Sequence, residues 1–178
     1  WVSYTEMIKA AGATAVIVKC RAENNYELEP EQLQAGIPPR TKLLILNSPS
    51  NPTGAVYRVS TIEKIAEIAL KNNIMVMSDE IYEKLVYDPE FRHKSIASVS
   101  PEMNELTITI NGFSKAYSMP GWRLGYLAAP KWLADRIIAF QSHTTSNPTS
   151  FAVNPSFGKV MTPLTNVPGS AEAIIKFP

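Results

Sequence analysis

Cysteine is nearly absent: Cys20 is the single one in 178 residues, which excludes an internal disulfide framework and fits a reducing compartment. An excess of one charge is missing too. The 17 basic and 16 acidic residues leave a net charge of +1, so no broad field gathers nucleic acid or an anionic membrane surface. No apolar run reaches membrane-spanning length, and Trp1-Val2-Ser3-Tyr4 is not a signal peptide. The two histidines, His93 and His143, are isolated in the sequence and neither has metal-ligand spacing around it, so no metal is expected. Ser114 and Ser118 lack a paired histidine in any nucleophile arrangement, which leaves a hydrolase unsupported. The run Ile74-Met75-Val76-Met77-Ser78-Asp79-Glu80 looks like the acidic strand of a nucleotide hydrolase, but the Gly-rich phosphate loop ending in Gly-Lys-Ser/Thr is absent. Internal repeats and low-complexity tracts are also lacking.

What remains is the composition of an ordinary globular protein, 45% hydrophobic and 19% charged, long enough for one domain with a sizeable core. Five short apolar runs have the character of strands buried on both faces: Ala15–Val18, Leu43–Leu46, Ile74–Met77, Leu106–Ile110 and Leu124–Ala128. Helical segments separate them. Ser60-Thr61-Ile62-Glu63 has the form of a capping box, and Ile62, Ile65, Ala66, Ala69 and Leu70 then recur at helical spacing, predicting a helix from Ser60 to Asn72-Asn73. Shorter helices are expected over Glu6–Ala11 and Glu31–Ala35, and another over Lys131–Ser142, after Pro130. This alternation predicts an α/β domain, a mostly parallel sheet flanked by helices.

That architecture has a functional consequence. Asn51 follows the second run, Asp79 the third and Lys115 the fourth, so all three fall just past the carboxyl ends of strands expected to be parallel. Ligands of open α/β sheets bind at that edge. Residues 1–152 are read as one domain. From 153 to 178, Asn154, Pro155, Pro163, Pro168 and Gly169 interrupt any regular pattern; an irregular tail is expected, with Ala171–Lys176 a short helix or a strand.

The most informative stretch is Asn111-Gly112-Phe113-Ser114-Lys115-Ala116-Tyr117-Ser118-Met119-Pro120-Gly121-Trp122-Arg123-Leu124-Gly125-Tyr126. An amine in a small-residue turn after a strand can reach a ligand, and Arg123, between glycines, is a fixed cation suited to phosphate. The stretch resembles the lysine motif of class I aminotransferases, fold type I enzymes that use pyridoxal 5′-phosphate (PLP). Asn47-Ser48-Pro49-Ser50-Asn51-Pro52-Thr53-Gly54 and Ser78-Asp79-Glu80-Ile81-Tyr82-Glu83 resemble further signatures of that family, in the same order and spacing. The likeness runs from Trp1 to about Ala152 and is closest to the bacterial aspartate/prephenate branch.

The resemblance implies the large, PLP-binding domain of such an enzyme, with a Lys115 imine and the same lysine as general base between the substrate α-carbon and cofactor C4′. It implies Asp79 at the pyridine nitrogen, Asn51 and Tyr82 at the phenolic oxygen, Arg123 at the phosphate and Trp1 stacked on the ring. Gly112 stands where many relatives carry a Ser or Thr for the phosphate, so only its backbone N–H could serve; Pro120 replaces a more usual Thr. The implied reaction is transfer of an amino group from aspartate or glutamate to a 2-oxo acid, in a cytoplasmic homodimer, with no nucleic-acid or membrane partner. The alternatives are an inactive fragment or pseudoenzyme that keeps the motifs, or another fold type I enzyme such as a C–S lyase or synthase. Because Trp1-Val2-Ser3-Tyr4 resembles the middle of a family member, the chain is expected to be a fragment. Such a fragment would lack the amino-terminal segment and the small domain with its carboxylate-binding arginine.

Overall fold

The computed structural model describes residues 1–146, 148 and 170–176. Its centre is a five-stranded sheet in the order β1-β2-β3-β4-β5, formed by β1 (Leu43–Asn47), β2 (Met75–Asp79), β3 (Thr107–Gly112), β4 (Leu124–Pro130) and β5 (Ser170–Lys176). The first three strands run parallel, in the register Leu44 with Val76 and Val76 with Thr107, while β4 and β5 are antiparallel to their neighbours. The helices are α1 (Ser3–Ala10), α2 (Pro30–Gly36), α3 (Val59–Asn72), the single turn α4 (Pro101–Asn104) and α5 (Lys131–Ser142). Among the described residues, no helix is long and apolar enough to cross a membrane.

Strand alternation sends successive side chains to opposite faces, so the register decides which helix each face meets. Leu46 and Val76 share a core with Ile62, Ile65, Ala66 and Ala69 of α3, together with Ile96 and Met103. Ile65, Ile96 and Met103 are wholly buried, each such side chain stabilising the fold by about 1.5–3 kcal/mol. On the other face, Ile108, Ile110, Leu127 and Ala129 pack with Leu133, Ala134 and Ile137 of α5. Helices thus cover both faces, as the alternation of runs predicted.

Two sequence expectations fail here for identifiable reasons. Ala15–Val18 is not a strand of the sheet: β1 is the edge, nothing beyond it pairs with this run among the described residues, and Val16 and Ile17 stay exposed. The capping box at Ser60 is not made either. Helix α3 starts one residue earlier, with extended Arg58 at its cap and no side-chain cap bond. The Arg58 N–H instead meets Glu27 Oε1 at 2.7 Å, and its guanidinium pairs with the other oxygen of that buried carboxylate at 2.5 Å. The predicted end is correct: Asn73, at φ 50°, takes the left-handed conformation and its N–H returns to Ala69 and Leu70. Of the carboxy-terminal segment, Ser170–Lys176 forms β5, the second alternative left open for Ala171–Lys176; residues 153–169 lie outside the described residues.

Candidate active site

Three parallel strands end at one edge, and each is followed by residues of a different motif. After β1 the chain turns through Ser48-Pro49-Ser50-Asn51-Pro52, with both prolines preceded by cis peptide bonds. Asn47, the last residue of β1, ties this turn to the neighbouring strand. Its Oδ1 accepts the Asn51 N–H at 2.9 Å while its Nδ2 donates to the Asp79 carbonyl at 3.1 Å. Asp79 closes β2, and its Oδ1 accepts the Ile81 N–H at 3.2 Å. The turn that follows brings the Tyr82 hydroxyl to the Asn51 Nδ2 donor at 3.3 Å. Beyond β3, the Lys115 Nζ lies 5.9 Å from the centroid of the Tyr82 ring. Lys115 is exposed, and among the described residues its amine has no hydrogen bond or ion pair.

The β3–β4 connection carrying Lys115 is tightly wound. Phe113 accepts backbone N–H groups from Tyr117 and Met119 at 3.3 Å each, Lys115 accepts from Ser118 at 3.2 Å, and Phe113 N–H reaches Leu124. Ser118 and Arg123 have positive φ, 53° and 52°, which the closed ring of contacts imposes on residues that rarely adopt it. Arg123 is exposed, with Nη1 on the Pro120 carbonyl at 3.1 Å. It shares an edge with Lys115 but makes no described contact with Asp79, Asn51 or Tyr82.

Gly112 is buried in the sheet opposite Gly125. A Cβ there would lie 3.0 Å from the Leu124 carbonyl oxygen, 3.1 Å from Ile81 Cδ1 and 3.3 Å from Gly125 Cα. Close packing of two strands therefore explains the absence of a Ser or Thr side chain. The Gly112 N–H, the only group left to it as a phosphate donor, already donates to Asn111 Oδ1 at 2.7 Å.

A residue without a sequence-assigned role completes the cluster. Tyr4 of α1 donates its hydroxyl to Asp79 Oδ2 at 2.5 Å. Burial, and then the hydrogen bond and charge of Asp79, push the Tyr4 phenol well above its ordinary value, so it stays a donor. Trp1 lies one helical turn before it, edge-on to the Tyr4 ring at 5.3 Å, with the terminal amine on the Asn51 carbonyl at 3.3 Å and the residue 57% exposed. The spacing Trp1 to Tyr4 at a helix start was the available signal for Tyr4. His93, read as isolated, is not: its Nε2 meets the buried carboxylate of Glu80 at 2.9 Å, with Glu83 close by. The two stand 13 positions apart in sequence, which hid the pairing.

Two surface depressions, of about 610 Å³ beside α1 residues other than Tyr4 and about 490 Å³ between Tyr57–Ser60 and Pro89–Arg92, lie away from this cluster. The candidate site is an open shelf. It offers one carboxylate held by two donors, an amide and a phenol side by side, and an unpaired amine. Together these donors and acceptors suit a planar, polar ligand bearing a basic ring atom, a ring oxygen and a group reactive toward amines.

Known proteins are similar to this chain in sequence and in fold. An aspartate aminotransferase of Geobacillus stearothermophilus is 48% identical over 152 residues, which are 85% of this chain and 38% of that protein. A probable aspartate/prephenate aminotransferase of Rickettsia conorii is 45% identical over 153 residues, again 85% and 38%. Among solved structures, an aspartate aminotransferase from Thermus thermophilus with maleate matches at TM-score 0.79 and 41% identity, over 83% of this chain and 37% of that one. An aromatic aminotransferase from Pyrococcus horikoshii OT3 matches at 0.82 and 42%, over 85% and 40%. The chain thus spans about 38% of the length of the curated relatives it matches. The sequence profile described as aminotransferase class I and II matches residues 1–159, and the chain belongs to that family.

Proposed function

We propose that this chain is the cofactor-binding part of a PLP-dependent aminotransferase that moves an amino group between aspartate or glutamate and a 2-oxo acid. The observation that carries the reading is the convergence of Lys115, Asp79 and the Asn51–Tyr82 pair at the carboxyl edge of β1, β2 and β3. The donor set fits PLP. Asp79, oriented by Tyr4 and the Ile81 N–H, would face the pyridine nitrogen and favour its protonated form. Asn51 Nδ2 and the Tyr82 hydroxyl, 3.3 Å apart, would converge on the phenolic oxygen. Arg123 would grip the phosphate with two parallel N–H groups. Gly112 could join it only by exchanging the Asn111 oxygen for a phosphate oxygen. The exposed ring of Trp1 is free to stack.

PLP, when bound, supplies the electron sink of the reaction. The chain's own residues do the rest. Lys115 would hold the cofactor through its amine, and the same Nζ would move a proton at the substrate α-carbon, a role that suits a lysine on a flexible stem. Asp79, fixed by donors on both oxygens, keeps its charge directed at one place. Residues 1–152 are on this reading a partial large domain, and 153–178 a carboxy-terminal segment whose Ser170–Lys176 adds β5 to the same sheet. A cytoplasmic homodimer goes with the same reading, and the single cysteine fits a reducing compartment.

The test is incubation of the PLP-loaded protein with glutamate in a single turnover. Release of 2-oxoglutarate in proportion to bound cofactor is expected; PLP binding without any 2-oxo acid refutes the aminotransferase and leaves a PLP-binding protein.

A further inference from the structure

Behind Asp79, on the opposite face of its strand, lies a polar cluster that the cofactor roles do not use. Side chains alternate, so Ser78 and Glu80 point toward the α3 side where Asp79 does not. Glu80 is only 3% exposed. Its Oε1 accepts the Ser78 hydroxyl at 2.9 Å and the Ser95 hydroxyl at 2.7 Å, and its Oε2 meets His93 Nε2 at 2.9 Å. Ser95 immediately precedes Ile96, which is wholly buried beside Met103. The carboxylate therefore links the end of β2 to a fixed point of the core. It also closes the connection that begins with Ile81 and Tyr82.

The backbone around Glu80 is held as firmly. Its N–H donates to the Ile110 carbonyl at 2.8 Å, and its carbonyl accepts the Glu83 N–H at 2.9 Å, bracketing Tyr82. A buried carboxylate is a costly way to obtain stability alone, because well-packed apolar side chains often do as well or better. What a charge with three directed donors adds is a single orientation. Asp79 on one side of Glu80 and Tyr82 two residues beyond it are the groups whose orientation matters.

We propose that Glu80, acting through His93 and Ser95, is a positioning residue that fixes Asp79 and Tyr82 toward the cofactor shelf. The proposal rests on the reading of those two as cofactor-facing groups, and its test includes a measurement made without cofactor. Fluorotyrosine is incorporated into the chain, and the Tyr4 and Tyr82 fluorine resonances are assigned by Tyr4→Phe and Tyr82→Phe. Tyr4 reports on Asp79 through its hydrogen bond, and Tyr82 reports on itself. The cluster is then made apolar by combining Glu80→Met, His93→Leu and Ser95→Ala, and PLP binding is followed by absorbance.

The expected result is a folded chain with an unchanged or raised urea midpoint, both resonances shifted or broadened, and PLP bound about tenfold more weakly. The loss of affinity should vanish when Asp79→Asn and Tyr82→Phe are already present, since coupled sites are not additive. A folded variant with both resonances and PLP affinity unchanged overturns the proposal. If the triple variant does not fold, Ser95→Ala alone decides by the same resonances: a shift supports the positioning role and no shift overturns it. Resonances that respond in a chain taking up no PLP support the positioning link while refuting the cofactor reading, so the two failures are distinct.

Discussion

Replacing Tyr4 by Phe removes one hydroxyl and leaves the ring against Trp1, so it isolates the hydrogen bond to Asp79. A hydrogen bond to an ionised acceptor contributes about 1.5–3 kcal/mol net. Tyr4 is half-buried and water can reach the freed carboxylate oxygen, so the low end, about 1.5 kcal/mol, is expected at neutral pH. The alkaline range tests the cause. The folded phenol titrates above the ordinary tyrosine value, first through burial and then through Asp79, whereas the unfolded one titrates near pH ~10. A raised folded value gives a contribution that is complete below the unfolded value and lost as pH rises beyond it. The wild-type chain should therefore lose stability faster than Tyr4→Phe above pH ~10, by about 1.4 kcal/mol per pH unit. The neutral gap closes within about one pH unit and then reverses. Tyr57 is raised as well, by burial and then its contact with Cys20, but it is present in both proteins and cancels in the difference. Urea unfolding of both chains at a series of pH values reads the gap directly. A gap that is absent at neutral pH, or constant into the alkaline range, refutes the assignment of Tyr4 as a protonated donor to Asp79.

Three further outcomes are expected. Asp79→Asn in the PLP-loaded protein should leave cofactor content nearly unchanged but slow release of 2-oxo acid on the order of a thousandfold, about 4 kcal/mol in the barrier; near-native turnover contradicts the role. Gly112→Ala should cost about 1–2 kcal/mol in urea unfolding, since overpacking against the Leu124 oxygen and Gly125 Cα outweighs the gain from losing a glycine; equal or greater stability means that β3 and β4 separate more easily than their contacts imply. The 178-residue chain by itself should turn over aspartate or glutamate poorly, because Lys115, Arg123 and Trp1 are exposed and water is not excluded from the shelf; rates matching those of a full-length relative count against this.

The parts legible in the sequence are those set by local periodicity. Helix α5 follows Pro130 as expected, and Asn51, Asp79 and Lys115 follow three parallel strands because short apolar runs alternating with helices leave few other arrangements. What stayed hidden depends on partners distant in the chain. Tyr4 meets Asp79 across 75 residues, and His93 reaches Glu80 only because the intervening loop folds back. Arg58 displaces Ser60 from the start of α3 because Glu27, 31 residues earlier, holds the Arg58 N–H. Ala15–Val18 has the composition of a strand, but strands need a neighbour and β1 does not pair with it. Gly112 reads as a position left with only its backbone N–H for phosphate, and its packing as a spacing residue between two strands shows only in the fold.

The central claim is that the amine of Lys115, and no other in the chain, holds PLP. Borohydride reduction of the PLP-loaded chain followed by peptide mapping measures this directly. The label is expected on the peptide containing Lys115 and is expected to disappear in Lys115→Ala. A label distributed over other lysines, with Lys115 unmodified, contradicts the account.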